Sequence, residues 1–221
     1  MPDLRPTLTM MCVLCVAACA PDAERADTDA PPPNPLLQPA DFTDTAPDRF
    51  QVDVETTAGT FRVEVHRAWA PLGADRFYNL VRAGYYAGVP FHRVLEGFVA
   101  DFGIHPDPWV NAAWRQALLR DDPVVESNLQ GRVSFSKGGP NRRTVQVFVN
   151  LRDNTELDAD GFAPFAEVVQ GFDTVAALYA EYGDGPPRGE GVYQAMAIAK
   201  GDEYFAEFPE LDRILAVRLV E

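Results

Sequence analysis

Phe91-His92-Arg93-Val94-Leu95-Glu96-Gly97-Phe98 and, further along, Gln146-Val147-Phe148-Val149-Asn150 are the two stretches on which the reading of this chain turns. The first sets an arginine and a phenylalanine on opposite sides of a short bend containing Gly97. In the second, Gln146 and Phe148 alternate with Val147 and Val149, and a period of two points Gln146 and Phe148 to one face of a strand. If the two strands are neighbours, an arginine, a glutamine and two phenylalanines converge on one shallow apolar groove. The stretches hold no nucleophile with its base and no metal-ligand set. Such a groove suits a reaction that breaks no bond and moves no proton.

The sequence around them adds elements. Gln51-Val52-Asp53-Val54-Glu55 and Thr60-Phe61-Arg62-Val63-Glu64-Val65 alternate apolar and polar residues around Ala58-Gly59, which predicts a hairpin. Pro71 can open a helix whose apolar face is Leu72, Phe77, Leu80 and Val81. A second helix is predicted over 172–182, with Val175, Leu178, Tyr179 and Tyr182 inward and Gly183 as its C-cap. Ile214-Leu215-Ala216-Val217-Arg218-Leu219-Val220 closes the chain as a strand.

Together with Gly84-Tyr85-Tyr86-Ala87-Gly88-Val89-Pro90, Gly131-Arg132-Val133-Ser134-Phe135-Ser136 and Leu157-Asp158-Ala159-Asp160-Gly161-Phe162-Ala163-Pro164-Phe165, these motifs stand in an order that resembles the cyclophilins, the peptidyl-prolyl cis–trans isomerases. The resemblance runs over roughly 50–221. It implies a mainly β fold, a closed antiparallel eight-stranded barrel capped by two α-helices, and isomerase activity on X–Pro bonds with no cofactor. It makes Arg93 the catalytic residue. Phe98 and Phe148 would form the proline pocket, with Val99 and Leu157 as apolar lining and Gln146 bonding the substrate backbone. Asp101, Ser136, Lys137 and Phe162 complete the expected substrate-binding set. Several of these depart from the family pattern. Asp101 stands where the family usually has a glutamine that orients the arginine; an aspartate there can hold Arg93 by a charge-assisted bond or neutralise it. Lys137 replaces an asparagine that acts largely through its backbone, and Phe162 a frequent histidine. Glu156 falls where some members carry the tryptophan of cyclosporin affinity, which implies weak inhibition.

Composition bounds the rest. The 221 residues carry 19 Lys+Arg against 33 Asp+Glu, a formal charge of −14. Without a basic patch, nucleic acid is excluded as a partner, and an anionic membrane surface repels the domain. Proline-containing polypeptides are the expected partners, and the chain is expected to act as a monomer. Cys12, Cys15 and Cys19 are the three cysteines, so nothing beyond Cys19 can form a disulfide. They lie in the apolar run 8–20, too short to span a bilayer, which reads as a signal-peptide core. Its end, Val16-Ala17-Ala18-Cys19, resembles the lipobox of bacterial lipoproteins, where the cysteine is acylated and the peptide before it removed. The expected division is 1–18 signal peptide, 19–48 a tether rich in Pro, Ala and Asp beginning at lipidated Cys19, and 49–221 the folded domain. Such a chain would be anchored in a bacterial envelope, at the outer membrane facing the periplasm, and would touch membrane only through its lipid.

Two further patterns bear on metal binding. Glu156, Asp158, Asp160, Gly161 and Glu167 mimic a calcium loop, but Pro164 interrupts it and its flanks read as strand. His66, His92 and His105 lack metal-ligand spacing, so no metal site is expected from the sequence.

Overall fold

The computed structural model describes residues 34–220. The signal-peptide core, the three cysteines with Cys19 among them, and the first part of the tether lie outside the described residues. Among the described residues no helix is long and apolar enough to cross a membrane.

Eight antiparallel strands form one curled sheet: β1 Arg49–Thr56, β2 Gly59–His66, β3 Arg93–Leu95, β4 Val99–Phe102, β5 Arg132–Lys137, β6 Arg143–Asn150, β7 Pro164–Gln170 and β8 Ile214–Val220, in the spatial order β3-β4-β6-β5-β7-β2-β1-β8. The β1–β2 hairpin turns at Thr57-Ala58 and is in register throughout. Its alternation buries Val52, Val54, Phe61, Val63 and Val65 and turns the polar partners outward. The inner faces of β5, β6 and β7 add Val133, Phe135, Val147, Val149 and Phe165 to the same core.

The expected closed barrel is corrected. The sheet is an open half-barrel whose edges are β3 and β8. The segment before β3 meets the start of β8 through Gly88 N–H to the Ile214 carbonyl at 2.8 Å, Ile214 N–H to Val89 at 2.9 Å and Phe91 N–H to Asp212 at 2.9 Å. Only one isolated bridge, Pro90 to Arg213, forms there. Proline has no N–H to extend a ladder, and a three-residue β3 is too short to zip a seam.

Among the described residues the two capping helices become six short ones: α1 Pro71–Arg82, α2 Pro108–Trp114, α3 Glu156–Ala159, α4 Phe172–Ala176, α5 Gln194–Lys200 and α6 Asp202–Phe205. In α1, Phe77, Leu80 and Val81 face the core as predicted, whereas Leu72 is exposed. Ala70 cannot cap α1 with its side chain; Asp122 does so from fifty residues away, accepting from Leu72 N–H at 3.0 Å and Gly73 N–H at 2.9 Å. Asp122 is in turn paired with buried Arg143 at 3.0 Å, which ties the segment between β4 and β5 to helix and sheet. The helix predicted over 172–182 stops at Ala176. Beyond it Tyr179 N–H donates to Asp212 Oδ2 at 2.8 Å, and Tyr182 packs edge-on against Phe208. Those tertiary contacts outweigh continuation of a short helix, and Gly183 closes a separate turn on Ala180.

The boundary expected at residue 48 also moves. In the described part of the tether, 34–48, two 3-10 turns at Pro35–Leu37 and Pro39–Asp41 lie against the domain. Leu36 is buried, its carbonyl accepts from Trp114 Nε1 at 2.8 Å, and Phe42 packs on the Trp114 ring. Asn79 and Asp75 of α1 bond the backbone of Asp44 and Ala46. The prolines of this segment serve as starts of tight turns, and its few apolar residues find a site on α2.

Candidate active site

The register of three strands assembles the site. Arg93 of β3 lies opposite Asp101 of β4, and Asp101 lies opposite Phe148 of β6. Because side chains alternate, Val99 and Asp101 share the face of Arg93, and Gln146 and Phe148 share it from β6. The bend between β3 and β4 puts Gly97 in the left-handed region at φ 62° and delivers Phe98 to the same side. Ser136 and Lys137 arrive from the end of β5. Leu157 on α3 and Phe162 just beyond it form the far wall. All ten residues expected from the sequence line one groove of about 550 Å³. Phe148 and Phe162 meet edge to face at 5.6 Å, the arrangement that aromatic quadrupoles favour, and make an apolar socket.

The electrostatics centre on Arg93. Its Nη1 donates to Asp101 Oδ2 at 2.7 Å, and Ser136 Oγ donates to the other oxygen of that carboxylate at 2.9 Å. From the other side Nε donates to Asp184 Oδ1 at 3.0 Å and Nη2 to Asp184 Oδ2 at 3.4 Å. Its guanidinium carbon sits 5.8 Å from the Phe98 ring centre. A guanidinium has five N–H donors, so two remain, one on each terminal nitrogen. Burial acts to lower the Arg93 pKa, but the bonds to Asp184 and Asp101 outweigh it and keep the group charged. Burial pushes the Asp101 carboxyl up, against the opposing pull of Arg93 and Ser136. For Asp184, burial acts upward and is outweighed by Arg93, which leaves its pKa lowered.

Lys137 has a side-chain role beyond the backbone one expected of it. Its Nζ donates to Asp121 Oδ2 at 3.1 Å and to the Gly161 carbonyl at 2.8 Å, tying the segment between β4 and β5 to the loop that carries Phe162. Asp158, a residue of the calcium-like run, is engaged structurally: it accepts from Ser127 and from both the backbone and side-chain nitrogens of Asn128. His92 is fully buried beneath the site, and burial pushes its pKa down to about 3, with the Arg93 charge adding to the effect.

Sequence reasoning missed Asp184 and the segment that follows it. Gly185, Pro186, Pro187 and Arg188, then Val192, Tyr193 and Gln194, form one side of the groove. The segment folds back on itself, with Gly191 N–H bonded to the Asp184 carbonyl at 3.0 Å. A Cβ on Gly185 would come within 2.1 Å of the Val192 carbonyl oxygen, so only glycine permits the approach. Val192 anchors it in a second small core with Ile104, Ala197, Phe205 and Leu211. The glycines and the Pro-Pro pair were the available signal. They mark a turn but do not say what it lies against.

A curled antiparallel sheet carrying an open apolar groove, with a charged arginine in its wall and no thiol or imidazole among its lining residues, is suited to binding an extended chain for conformational chemistry. Comparison with known proteins gives that class its family. The model described as cyclophilin type peptidyl-prolyl cis-trans isomerase/CLD matches residues 51–199. A peptidyl-prolyl cis-trans isomerase of Acinetobacter baylyi is 28% identical over 129 residues, covering 56% of this chain and 69% of the relative. One of Schizosaccharomyces pombe is 32% identical over 126 residues, covering 54% and 79%. A Cryptosporidium parvum cyclophilin structure superposes with a TM-score of 0.57 at 18% identity, covering 78% of this chain and 98% of that one. The same C. parvum protein has been crystallised in the presence of the dipeptide Ala-Pro, and that structure gives a TM-score of 0.56 at 17% identity, covering 77% and 99%. The chain belongs to the cyclophilin-type peptidyl-prolyl cis-trans isomerases. Its activity is the cis–trans isomerisation of peptidyl-prolyl bonds.

Proposed function

We propose that the groove isomerises X–Pro bonds in extended segments of unfolded polypeptides, with the proline ring seated against Phe98, Phe148 and Phe162 and with Arg93 as the catalytic group. The barrier to rotation, about 18–20 kcal/mol, is amide resonance. Twisting the bond breaks that resonance, makes the prolyl nitrogen pyramidal and exposes its lone pair. An N–H of Arg93 directed at that nitrogen is stronger in the twisted state than in either planar one, which is the condition for catalysis. Each 1.4 kcal/mol or so of that preference is a tenfold gain in rate. The observation that carries this reading is the convergence of charged Arg93 and the aromatic socket in one groove. Gln146 bonds the substrate backbone, and Val99 and Leu157 fill the walls of the proline site. No cofactor takes part.

One observation favours a second reading, a catalytically weak binding protein acting as chaperone or scaffold: two carboxylates already bond Arg93. The two differ in a single assay. Magnetisation exchange of an Ala-Pro peptide is followed with the wild-type chain and Arg93→Ala. Loss of about 100-fold or more in the variant, the scale of removing one transition-state donor, supports catalysis by Arg93. Peptide binding without exchange in the wild type supports the second reading.

The setting proposed for this activity is the bacterial envelope. Val16-Ala17-Ala18-Cys19 supports acylation of Cys19, and the proline-rich stretch after it supports a spacer, at about 3.1 Å per residue where extended, between an outer-membrane anchor and the domain. There the enzyme would meet newly exported chains. Mass spectrometry of the membrane fraction tests it; a mature chain that is unmodified at Cys19 would remove the anchor.

A further inference from the structure

Strand pairing gathers a set of side chains that spacing along the chain does not reveal. Glu64 and Glu167 face each other across β2 and β7 in register, and His66 lies two residues beyond Glu64 on the same outer face of β2. The His66 Nε2 is 3.1 Å from Glu64 Oε1 and 3.3 Å from Glu167 Oε1. The three ligand atoms lie within 4.8 Å of one another. His66 is 5% exposed, and its Nε2 is buried with no hydrogen-bond partner although two carboxylate oxygens stand beside it.

That combination asks for a cation. As a lone pair, Nε2 would point at two negative oxygens; as an N–H, its hydrogen is aligned with neither. A buried polar atom left so costs free energy that one ion shared by the three would recover. The spacing fits, since a tetrahedral ion with ligands at about 2.0–2.1 Å has ligand atoms roughly 3.3 Å apart. The outer contacts fit as well. Gln51 Nε2 donates to Glu64 Oε2 at 2.8 Å, and Arg132 Nε is 3.5 Å from Glu167 Oε2, so each carboxylate is held by one oxygen and presents the other to the histidine. Trp69 stacks on the imidazole at 3.9 Å and 11° and fixes its plane. Arg49, 3.9 Å from Glu64 Oε1, is largely exposed and easily displaced. We propose that Glu64, His66 and Glu167 form a divalent-metal site of zinc class, bridging β2 and β7 on strands that do not line the groove.

One imidazole and two carboxylates suit zinc, nickel or copper(II), whereas calcium takes six to eight oxygens. Three protein ligands leave the fourth position to water. Joining two strands across the sheet, the ion would raise stability rather than take part in isomerisation.

The test uses the full chain with Cys12, Cys15 and Cys19 alkylated, so that thiolates cannot bind the probe. Zinc chloride is titrated by calorimetry, and thermal unfolding is followed with and without zinc. The expected result is one equivalent bound and a zinc-dependent rise in Tm. Because His66 is buried against Trp69, the partly exposed carboxylates carry the test: Glu64→Gln and Glu167→Gln should each weaken zinc by about 10-fold or more, while zinc-free Tm and Ala-Pro exchange stay close to wild type. No rise in Tm, or an equal rise in the Glu64→Gln/Glu167→Gln double variant, overturns the site.

Discussion

Arg93 and Asp184, ninety-one residues apart, are joined by two hydrogen bonds, Nε to Oδ1 at 3.0 Å and Nη2 to Oδ2 at 3.4 Å. With Asp101 on Nη1, every nitrogen of the guanidinium already faces a carboxylate. The two aspartates differ in setting. Asp101 lies on the sheet, buried and fixed by Ser136, and aims the arginine. Asp184 hangs from the groove-side segment, partly exposed, and holds the arginine from the other side.

Opposite effects on catalysis follow from the two substitutions. Asp184→Asn should raise kcat/KM for an Ala-Pro peptide by about threefold to tenfold, roughly 0.7–1.4 kcal/mol of freed transition-state interaction. Asp101→Ala should lower it by a similar factor or more, because the arginine loses its aim, and Asp101→Gln should restore most of it. Exchange rates for the three variants, measured together, check both directions. A fall in Asp184→Asn would make that residue a second positioning group.

A different variable, pH, reports on His92. Its pKa falls from 6.5 to about 3 on folding because burial disfavours the imidazolium. The unfolded chain therefore takes up a proton that the folded chain refuses, and stability present above pH 6.5 is lost as pH falls toward 3. Between pH 7 and pH 5 the loss should be about 2 kcal/mol. Asp101, raised by burial, acts in the opposite direction, since the folded state protonates first there. The lowered carboxylates, Glu156 with Asp53, Asp121, Asp158 and Asp184, begin to matter only as pH approaches 4.5 for the glutamate and 3.8 for the aspartates from above. Urea midpoints at pH 7 and pH 5 measure the effect, and His92→Asn should shrink the difference to what His105 contributes, since burial lowers its pKa as well.

What the sequence made legible was local. The β1–β2 hairpin and β8 were readable because alternation is a property of neighbours in the chain, and the ten groove residues because their order resembles a known family. What it hid depends on distant partners. Asp184 reaches Arg93 from a segment with no periodicity, and the helix over 172–182 was ended by Asp212, thirty-three residues beyond Tyr179. The open seam rests on Pro90 meeting Arg213, and Glu64, His66 and Glu167 come together only through the register of β2 with β7. A proline-rich composition concealed that Leu36 and Phe42 have sites on Trp114 and its surroundings.

Leu36 is buried in the main core, and its carbonyl receives the Trp114 indole N–H. Leu36→Ala should cost about 2–3 kcal/mol, the lower part of the range for buried leucines, because an end segment can partly collapse into the space. A urea titration checks it. An effect below about 0.5 kcal/mol, the size of an ordinary surface change, would return the segment to the tether.

The groove also depends on a residue with no side chain. Gly103 follows β4 directly at φ 118°, a conformation that L residues avoid. A Cβ there would stand 2.6 Å from the Val145 carbonyl oxygen and 2.7 Å from the Gln146 Cα. Both neighbours are backbone of β6, so neither can swing aside, and the strand itself must shift. Gln146 and Phe148 ride on that strand, and Tyr85 donates its hydroxyl to the Gly103 carbonyl at 3.1 Å from beneath. Gly103→Ala should therefore destabilise the domain by about 1–3 kcal/mol. It should also raise KM for the peptide more than it lowers kcat, since the role proposed for Gln146 is to bind substrate in all its states while Arg93, on β3, keeps its place. Steady-state exchange kinetics alongside a urea titration separate the two effects. Lost stability with an unchanged KM would show that β6 absorbs the added methyl without moving Gln146.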